Sequence, residues 1–271
     1  MNVDSEASQG DPFSLQGDLD IGLRDGILGI MFNRPEKKNA LTSAMLIQLN
    51  RTLEAAKYDD RVRVVLFSGA GEAFCSGADV SGLKRSAETP ESERLKWDPH
   101  FTPRHCNLYK PTICAVNGIC AGAGLHFVAD CDIVIASERA TFVDTHVNVG
   151  QVTALEPIGL ARRMPLDQVL RMVILGKAER VTAAQALTAR MVSEVLPPEK
   201  LLDRAYELAR LACKGSPEAI RISLQLLWES LEADPAAIHR KGMQALLKHR
   251  SHPDATEGPT AFLEKREPVW R

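Results

Sequence analysis

Nothing in the sequence pairs its cysteines. The six, at positions 75, 106, 114, 120, 131 and 213, include no Cys-x-x-Cys and no ligand spacing for zinc. Several sit among apolar neighbours, as in Ile113-Cys114-Ala115, where a thiol behaves as a small hydrophobe. They read as reduced and structural. Net charge is equally scarce, −2 from 33 Lys and Arg against 35 Asp and Glu. The cations are spread along the chain, with no excess to displace counterions from a phosphate backbone, so no nucleic-acid partner is expected. No run approaches the roughly 18 to 20 apolar residues of a membrane span. The polar, acidic residues 1–11 lack the basic-then-apolar order of a signal peptide. A cytoplasmic protein without a membrane partner is expected. Internal repeats and low-complexity tracts are missing too. Two glycine-rich stretches fail as dinucleotide fingerprints, because Phe74 and Phe127 stand where the third glycine belongs.

What is there is a chain of 271 residues, 45% hydrophobic, long enough to bury a core without disulfides or structural metals. Residues 1–17 read as a disordered leader. Residues 19–24 and 27–32 flank Asp25-Gly26, a pair suited to the positive φ angles of a tight hairpin turn. A helix is expected over 42–58, with Thr42 as N-cap and Met45, Leu46, Leu49 and Leu53 at helical spacing. Apolar runs at 63–68, 113–116 and 132–136 suggest strands covered on both faces. Their alternation with helical stretches points to an α/β architecture. Residues 81–104 are polar, charged and Pro-containing, and read as a surface segment. Thr182 with Gln185 forms a capping box, and Ser216-Pro217 opens the first of three closing helices with apolar stripes. The expected division is a leader (1–17), a core (18–215) and a C-terminal helical region (216–271).

Two segments carry chemistry. Ala73-Phe74-Cys75-Ser76-Gly77-Ala78-Asp79 follows an apolar strand, and Gly77 permits a sharp bend that turns backbone N–H groups outward. Asn117 to Leu125 is rich in small residues, lets a ligand approach the backbone, and enters a helix whose first N–H groups favour an anion. Two backbone donors converging on one carbonyl oxygen can stabilise an enolate.

These segments, with Asn33-Arg34-Pro35, Asn39-Ala40-Leu41, Lys110-Pro111, Cys131-Asp132-Ile133, Ala140-Thr141-Phe142 and the closing Thr260 to Arg266, resemble the crotonase (enoyl-CoA hydratase/isomerase) superfamily in motif order, over roughly residues 19–270. The resemblance implies a crotonase-like spiral of ββα turns with a C-terminal helical trimerisation region. It also implies an acyl-CoA thioester as substrate with no separate cofactor, and a homo-trimer or dimer of trimers; the sequence itself has no helical His-x-x-x-His spacing, and no metal is expected. By the same resemblance the oxyanion-hole N–H groups belong to Ala78 and Ala123, and Lys265 matches the lysine that meets the CoA phosphate.

One departure stands out. Where hydratases of the family carry two glutamates, this chain places His126 and His146. Imidazole titrates near neutrality and can serve as acid or base, so both are candidate catalytic residues. Asp130, Asp144 and Glu156 are nearby acids able to orient an imidazole, and the sequence leaves open which does so. Taken singly, each reads as a solvated or capping carboxylate. Three functions follow. The first is an acyl-CoA lyase or isomerase of the hydratase type. The second is a retro-Claisen C–C hydrolase of a β-diketone, similar to oxocamphor-hydrolase-like members that pair a histidine with an acid. The third is a non-catalytic acyl-CoA binder. In the second, the expected acid falls at Leu155, with Glu156 one step beyond.

Overall fold

The computed structural model describes residues 11–79 and 100–271. Eleven strands form two sheets among these residues. The larger holds β1 (Ser14–Leu15), β2 (Leu19–Arg24), β3 (Ile27–Phe32), β4 (Val64–Gly69), β6 (Thr112–Val116), β8 (Ile133–Ser137) and β11 (Glu194–Leu196), in the order β1-β2-β3-β4-β6-β8-β11. The first three are antiparallel, and every pairing from β3 onward is parallel. The smaller sheet holds β5 (Ala73–Cys75), β7 (Ile119–Ala121), β9 (Thr141–Val143) and β10 (Val181–Thr182), in the order β10-β9-β7-β5.

The chain alternates between the sheets. β4 leads into β5, β6 into β7 followed by helix α2 (Leu125–Asp130), and β8 into β9 followed by helix α3 (Leu155–Leu160). The turns that start at β6 and β8 each run strand, strand, helix, and stacking the turns aligns like strands in parallel. This is the ββα spiral expected from the crotonase-like resemblance. Burial explains the composition: β6 is covered at all five residues, so it reads as a continuous apolar run.

The local expectations hold where the chemistry is strong. Asp25 and Gly26 take φ of 52° and 79° in the β2–β3 turn. Helix α1 (Ser43–Tyr58) starts at Thr42, whose side chain accepts a hydrogen bond from the Met45 N–H, and buries Met45, Leu46, Leu49 and Leu53. Helices α4 (Leu166–Leu175), α5 (Ala183–Thr188) and α6 (Pro198–Ala212) follow, and α5 carries the complete Thr182–Gln185 capping box. Three further helices, α7 (Pro217–Ser230), α8 (Pro235–His249) and α9 (Pro253–Glu264), end the chain. All six cysteines are free. Burial pushes the Cys75 and Cys106 thiols up to about 12, which keeps them protonated and inert.

Two segments differ from expectation. Residues 1–10 lie outside the described residues. Inside the expected leader, however, Phe13 is buried and Ser14–Leu15 pairs with β2. Most of the expected surface segment, residues 81–99 of 81–104, also lies outside the described residues. Its described end, Phe101 to Pro103, is buried, because the Phe101 ring packs against Phe127 and His126. No helix among the described residues is long and apolar enough to cross a membrane.

Candidate active site

Three parallel strands of the smaller sheet, β5, β7 and β9, end side by side, with Ala121 registered on Val143 and Cys75 on Cys120. The turns leaving their C-terminal ends carry Ala78, Ala123 and His146, in that order across the sheet. Crevices at the carboxyl ends of parallel strands are where α/β folds hold ligands.

The first two turns touch. Gly77 has a φ of 104°, a backbone conformation open to glycine and strained for other residues. A Cβ added there would stand 3.2 Å from the Ala121 carbonyl oxygen and 3.6 Å from the Ala123 nitrogen. About a methyl group's width therefore separates Gly77 from the Ala123 nitrogen. Leu41 donates to the Gly77 carbonyl, and Asp79 donates to the Leu41 carbonyl. Directions alternate along extended chain, so the Ala78 N–H between them faces away from Leu41. Ala123 lies in a 3-10 turn, Gly122–Gly124, with no side-chain cap at Ala121. N–H groups in such a first turn have no acceptor within their own helix.

The third turn joins on the other side. A Cβ added at Gly122 would lie 3.6 Å from His146 Cε1 and 3.7 Å from the Gly77 Cα. His146 opens a 3-10 turn, His146–Val149, directly after β9. Its backbone and ring both bond Asp144: the N–H donates to Oδ1 at 3.0 Å, and Nδ1 lies 2.8 Å from the same oxygen. Thr153 donates its hydroxyl to Asp144 Oδ2 at 2.5 Å.

His126 comes from α2, one turn past Ala123. Helix α3 packs against α2 so closely that a Cβ on Gly159 would be 2.7 Å from the Ala129 Cβ. This approach delivers Glu156. Its Oε1 lies 3.1 Å from His126 Nε2 and 3.5 Å from His146 Nε2. The two histidines, 20 positions apart in sequence, thus meet on one carboxylate oxygen. Phe101 stands edge-on to the His126 ring, with centroids 5.1 Å apart.

The electrostatics follow from this packing. Asp144 and Glu156 are 3% and 4% exposed, which corrects their reading as solvated carboxylates. Burial pushes the Asp144 carboxyl up, but hydrogen bonds from His146 and Thr153 outweigh it and hold it below the usual range. Burial likewise opposes ionisation of Glu156, and the His126 hydrogen bond and charge reverse the balance. The Asp144 bond, and then the charge of Glu156, raise the His146 imidazole above its ordinary value against the effect of burial. Two buried anions thus alternate with two imidazoles.

Lys265 is not brought to this cluster within the described contacts. It is an exposed residue ending α9 in left-handed conformation, φ 54°. Asp130 Oδ2 lies 4.0 Å from His105 Nε2. Sequence reasoning had not singled out His105 or Thr153. For Thr153 the available signal was a hydroxyl nine residues after Asp144. A cavity of about 760 Å³ lined by Lys57, Arg63, Lys110 and Arg221 lies elsewhere, beside the N-terminal ends of β4 and β6.

Strand order and the turn cluster together define a crotonase-type spiral with a candidate site at its strand ends. The family model described as enoyl-CoA hydratase/isomerase matches residues 22–271. This chain belongs to that family. It is 33% identical over 257 residues to the 2,3-dehydroadipyl-CoA hydratase of Escherichia coli strain K12, covering 94% of this chain and 98% of that one. It is 31% identical over 247 residues to human enoyl-CoA hydratase domain-containing protein 3, mitochondrial, covering 91% and 81%. A crystal structure of an enoyl-CoA hydratase/isomerase from Mycobacterium paratuberculosis superimposes with a TM-score of 0.85 at 35% identity, covering 94% of this chain and 98% of that one.

Proposed function

We propose that this protein binds an acyl-CoA thioester, holds its carbonyl oxygen between the Ala78 and Ala123 N–H groups, and stabilises the enolate formed from it. The convergence of His126 and His146 on Glu156 carries the reading. The two imidazoles stand where the family resemblance puts the hydratase glutamates, and His146 lies against the Gly122 turn, which supports a role in proton transfer. Backbone donors aimed at developing oxyanion charge are among the largest contributors to catalysis of this kind. His146 lies against Gly122, and Asp144 fixes its ring through Nδ1. Its second nitrogen lies 3.5 Å from Glu156. Glu156 holds compensating charge for whichever ring carries the extra proton. Hydratase or isomerase chemistry is the default, with water or the substrate carbon as the proton partner.

A single observation favours a second reading, the retro-Claisen hydrolysis of a β-diketone. Glu156, one step beyond the expected position, lies 3.1 Å and 3.5 Å from the two imidazoles. A histidine–carboxylate pair can activate water for attack on a ketone while the same backbone donors receive the enolate. Lys265 opposes this reading if it contacts a CoA phosphate, since a diketone has none.

Assembly belongs to the proposal. Helices α7 and α8 bury none of their residues. Leu227, Leu246, Phe262 and Leu263 are 64%, 52%, 83% and 79% exposed. Apolar side chains bared along an appendage fit against further copies of the chain. We assign a homo-trimer or dimer of trimers, in which Lys265 reaches a neighbour's thioester. Incubating the protein with an acyl-CoA panel and a β-diketone panel, read by mass spectrometry, tests the two catalytic readings. Turnover of CoA esters supports the first reading and diketone cleavage the second. CoA-ester binding with no turnover of either panel leaves only the non-catalytic binder.

A further inference from the structure

A second constellation shares His126. His126 and Asp130 are four residues apart on α2, the spacing that sets two side chains on one helix face. His105 arrives from the segment preceding β6. One ring nitrogen from each histidine and one Asp130 oxygen lie within 4.8 Å of one another. His105 Nε2 is 4.0 Å from Asp130 Oδ2, and the two imidazole rings are 5.5 Å apart between centroids. His126 is buried and the other two are half-buried.

The surroundings suit a metal. Thr102 donates its hydroxyl to Asp130 Oδ2, and Glu156 holds the His126 ring from Nε2 at 3.1 Å. Carboxylate and hydroxyl partners of this sort fix the orientation of metal ligands. Phe101 stands edge-on to both rings, 5.8 Å from His105 and 5.1 Å from His126 between centroids, and supplies an apolar wall. Two imidazoles and one carboxylate form a donor set for first-row transition ions that leaves coordination positions open. With bonds near 2.0 to 2.2 Å, ligand atoms around a tetrahedral ion stand roughly 3.4 Å apart. The present spacing closes to that by about an ångström of side-chain movement.

We propose that His105, His126 and Asp130 bind one divalent transition-metal ion, such as Zn²⁺ or Co²⁺. Proton transfer as described above uses neither His105 nor Asp130, so the site goes beyond that reading. Sharing His126 couples the two, because a ring bound to metal through one nitrogen has lost that nitrogen as a proton carrier.

The test uses the full-length chain, stripped with a chelator and titrated with cobalt(II) chloride. Calorimetry gives stoichiometry, and visible absorption reports cobalt in a low-coordinate nitrogen and oxygen site. One equivalent per chain is expected. His105→Ala and Asp130→Asn, each checked for fold by circular dichroism, should each weaken binding at least tenfold. His105→Gln, which keeps much of the shape, should weaken it as well. His249→Ala, which removes half of a stacked imidazole pair elsewhere in the chain, should bind like wild type. No saturable one-to-one binding by the wild type overturns the proposal. So does binding unchanged in the His105 and Asp130 variants, which would show an ordinary His–Asp ion pair and cobalt held elsewhere. Neither result touches the enolate reading, whose groups these variants leave in place.

Discussion

Glu156→Gln is the substitution that probes the site most sharply. It changes one oxygen for nitrogen at a position 4% exposed, so size and packing are nearly preserved. Both imidazoles lose their shared anion, since the replaced carboxylate is 3.1 Å from one ring and 3.5 Å from the other. The amide can present either oxygen or N–H to the rings, so the preferred tautomer is no longer imposed. Positioned acid–base groups contribute about 10² to 10⁴ in rate, or roughly 3 to 5 kcal/mol at 1.36 kcal/mol per factor of ten. Turnover should fall within that range while thioester binding changes little, because the backbone donors remain. The pH–rate profile should move as well. Glu156 helps to hold His146 above its ordinary value, so the limb that titrates His146 should shift to lower pH. Steady-state kinetics across pH on the thioester identified by the panel provides the assay. A variant with the wild-type rate and an unmoved profile would refute the role given to Glu156.

The other expectations follow from the same geometry. Asp144→Asn removes the strongest influence raising His146, so the His146 limb should drop toward an ordinary imidazole near about 6.5. Ala123→Pro deletes one backbone donor and should cost about 10² to 10³ in turnover; a folded variant at full rate would count against the oxyanion reading. Stability should itself depend on pH. The depressed Asp144 and Glu156 stabilise the fold above their unfolded values near about 4 and lose that contribution as pH falls. The raised His146 contributes below about 6.5 and loses its contribution as pH rises through its higher folded value. Thermal melts should therefore show the network's support greatest between about pH 4.5 and 6.5, a dependence that the Asp144→Asn, Glu156→Gln double variant flattens. Light scattering should report a trimer or hexamer at micromolar concentration, and Lys265→Glu should raise KM for CoA esters with kcat little changed. A monomer would remove the cross-subunit role of Lys265.

Much of the fold was legible because its signals are local. The Asp25-Gly26 turn, the Thr42 cap, the Thr182–Gln185 box and the Val64 to Phe67 run each depend on residues within a few positions, and each appears as expected. The site was legible in part. The two small-residue turns stood out as segments, and the family resemblance put the candidate donors at Ala78 and Ala123 and the candidate acid–base groups at His126 and His146. The acids were not assignable, because Glu156 reaches both rings only through the packing of α3 on α2, and no sequence spacing encodes that contact. His105 was missed for the same reason, since it meets Asp130 across 25 positions and two strands. The burial of Phe101 was hidden by its polar neighbours.

Enolate formation can be measured without knowing the complete reaction. Butyryl-CoA incubated with the protein in deuterium oxide, followed by mass spectrometry, reports exchange of the protons next to the thioester carbonyl. Wild-type protein should incorporate deuterium, and a His126→Gln, His146→Gln double variant that still binds the ester should not. Exchange that persists in the double variant, or none in a wild type that binds the ester, would contradict enolate chemistry run by these two histidines.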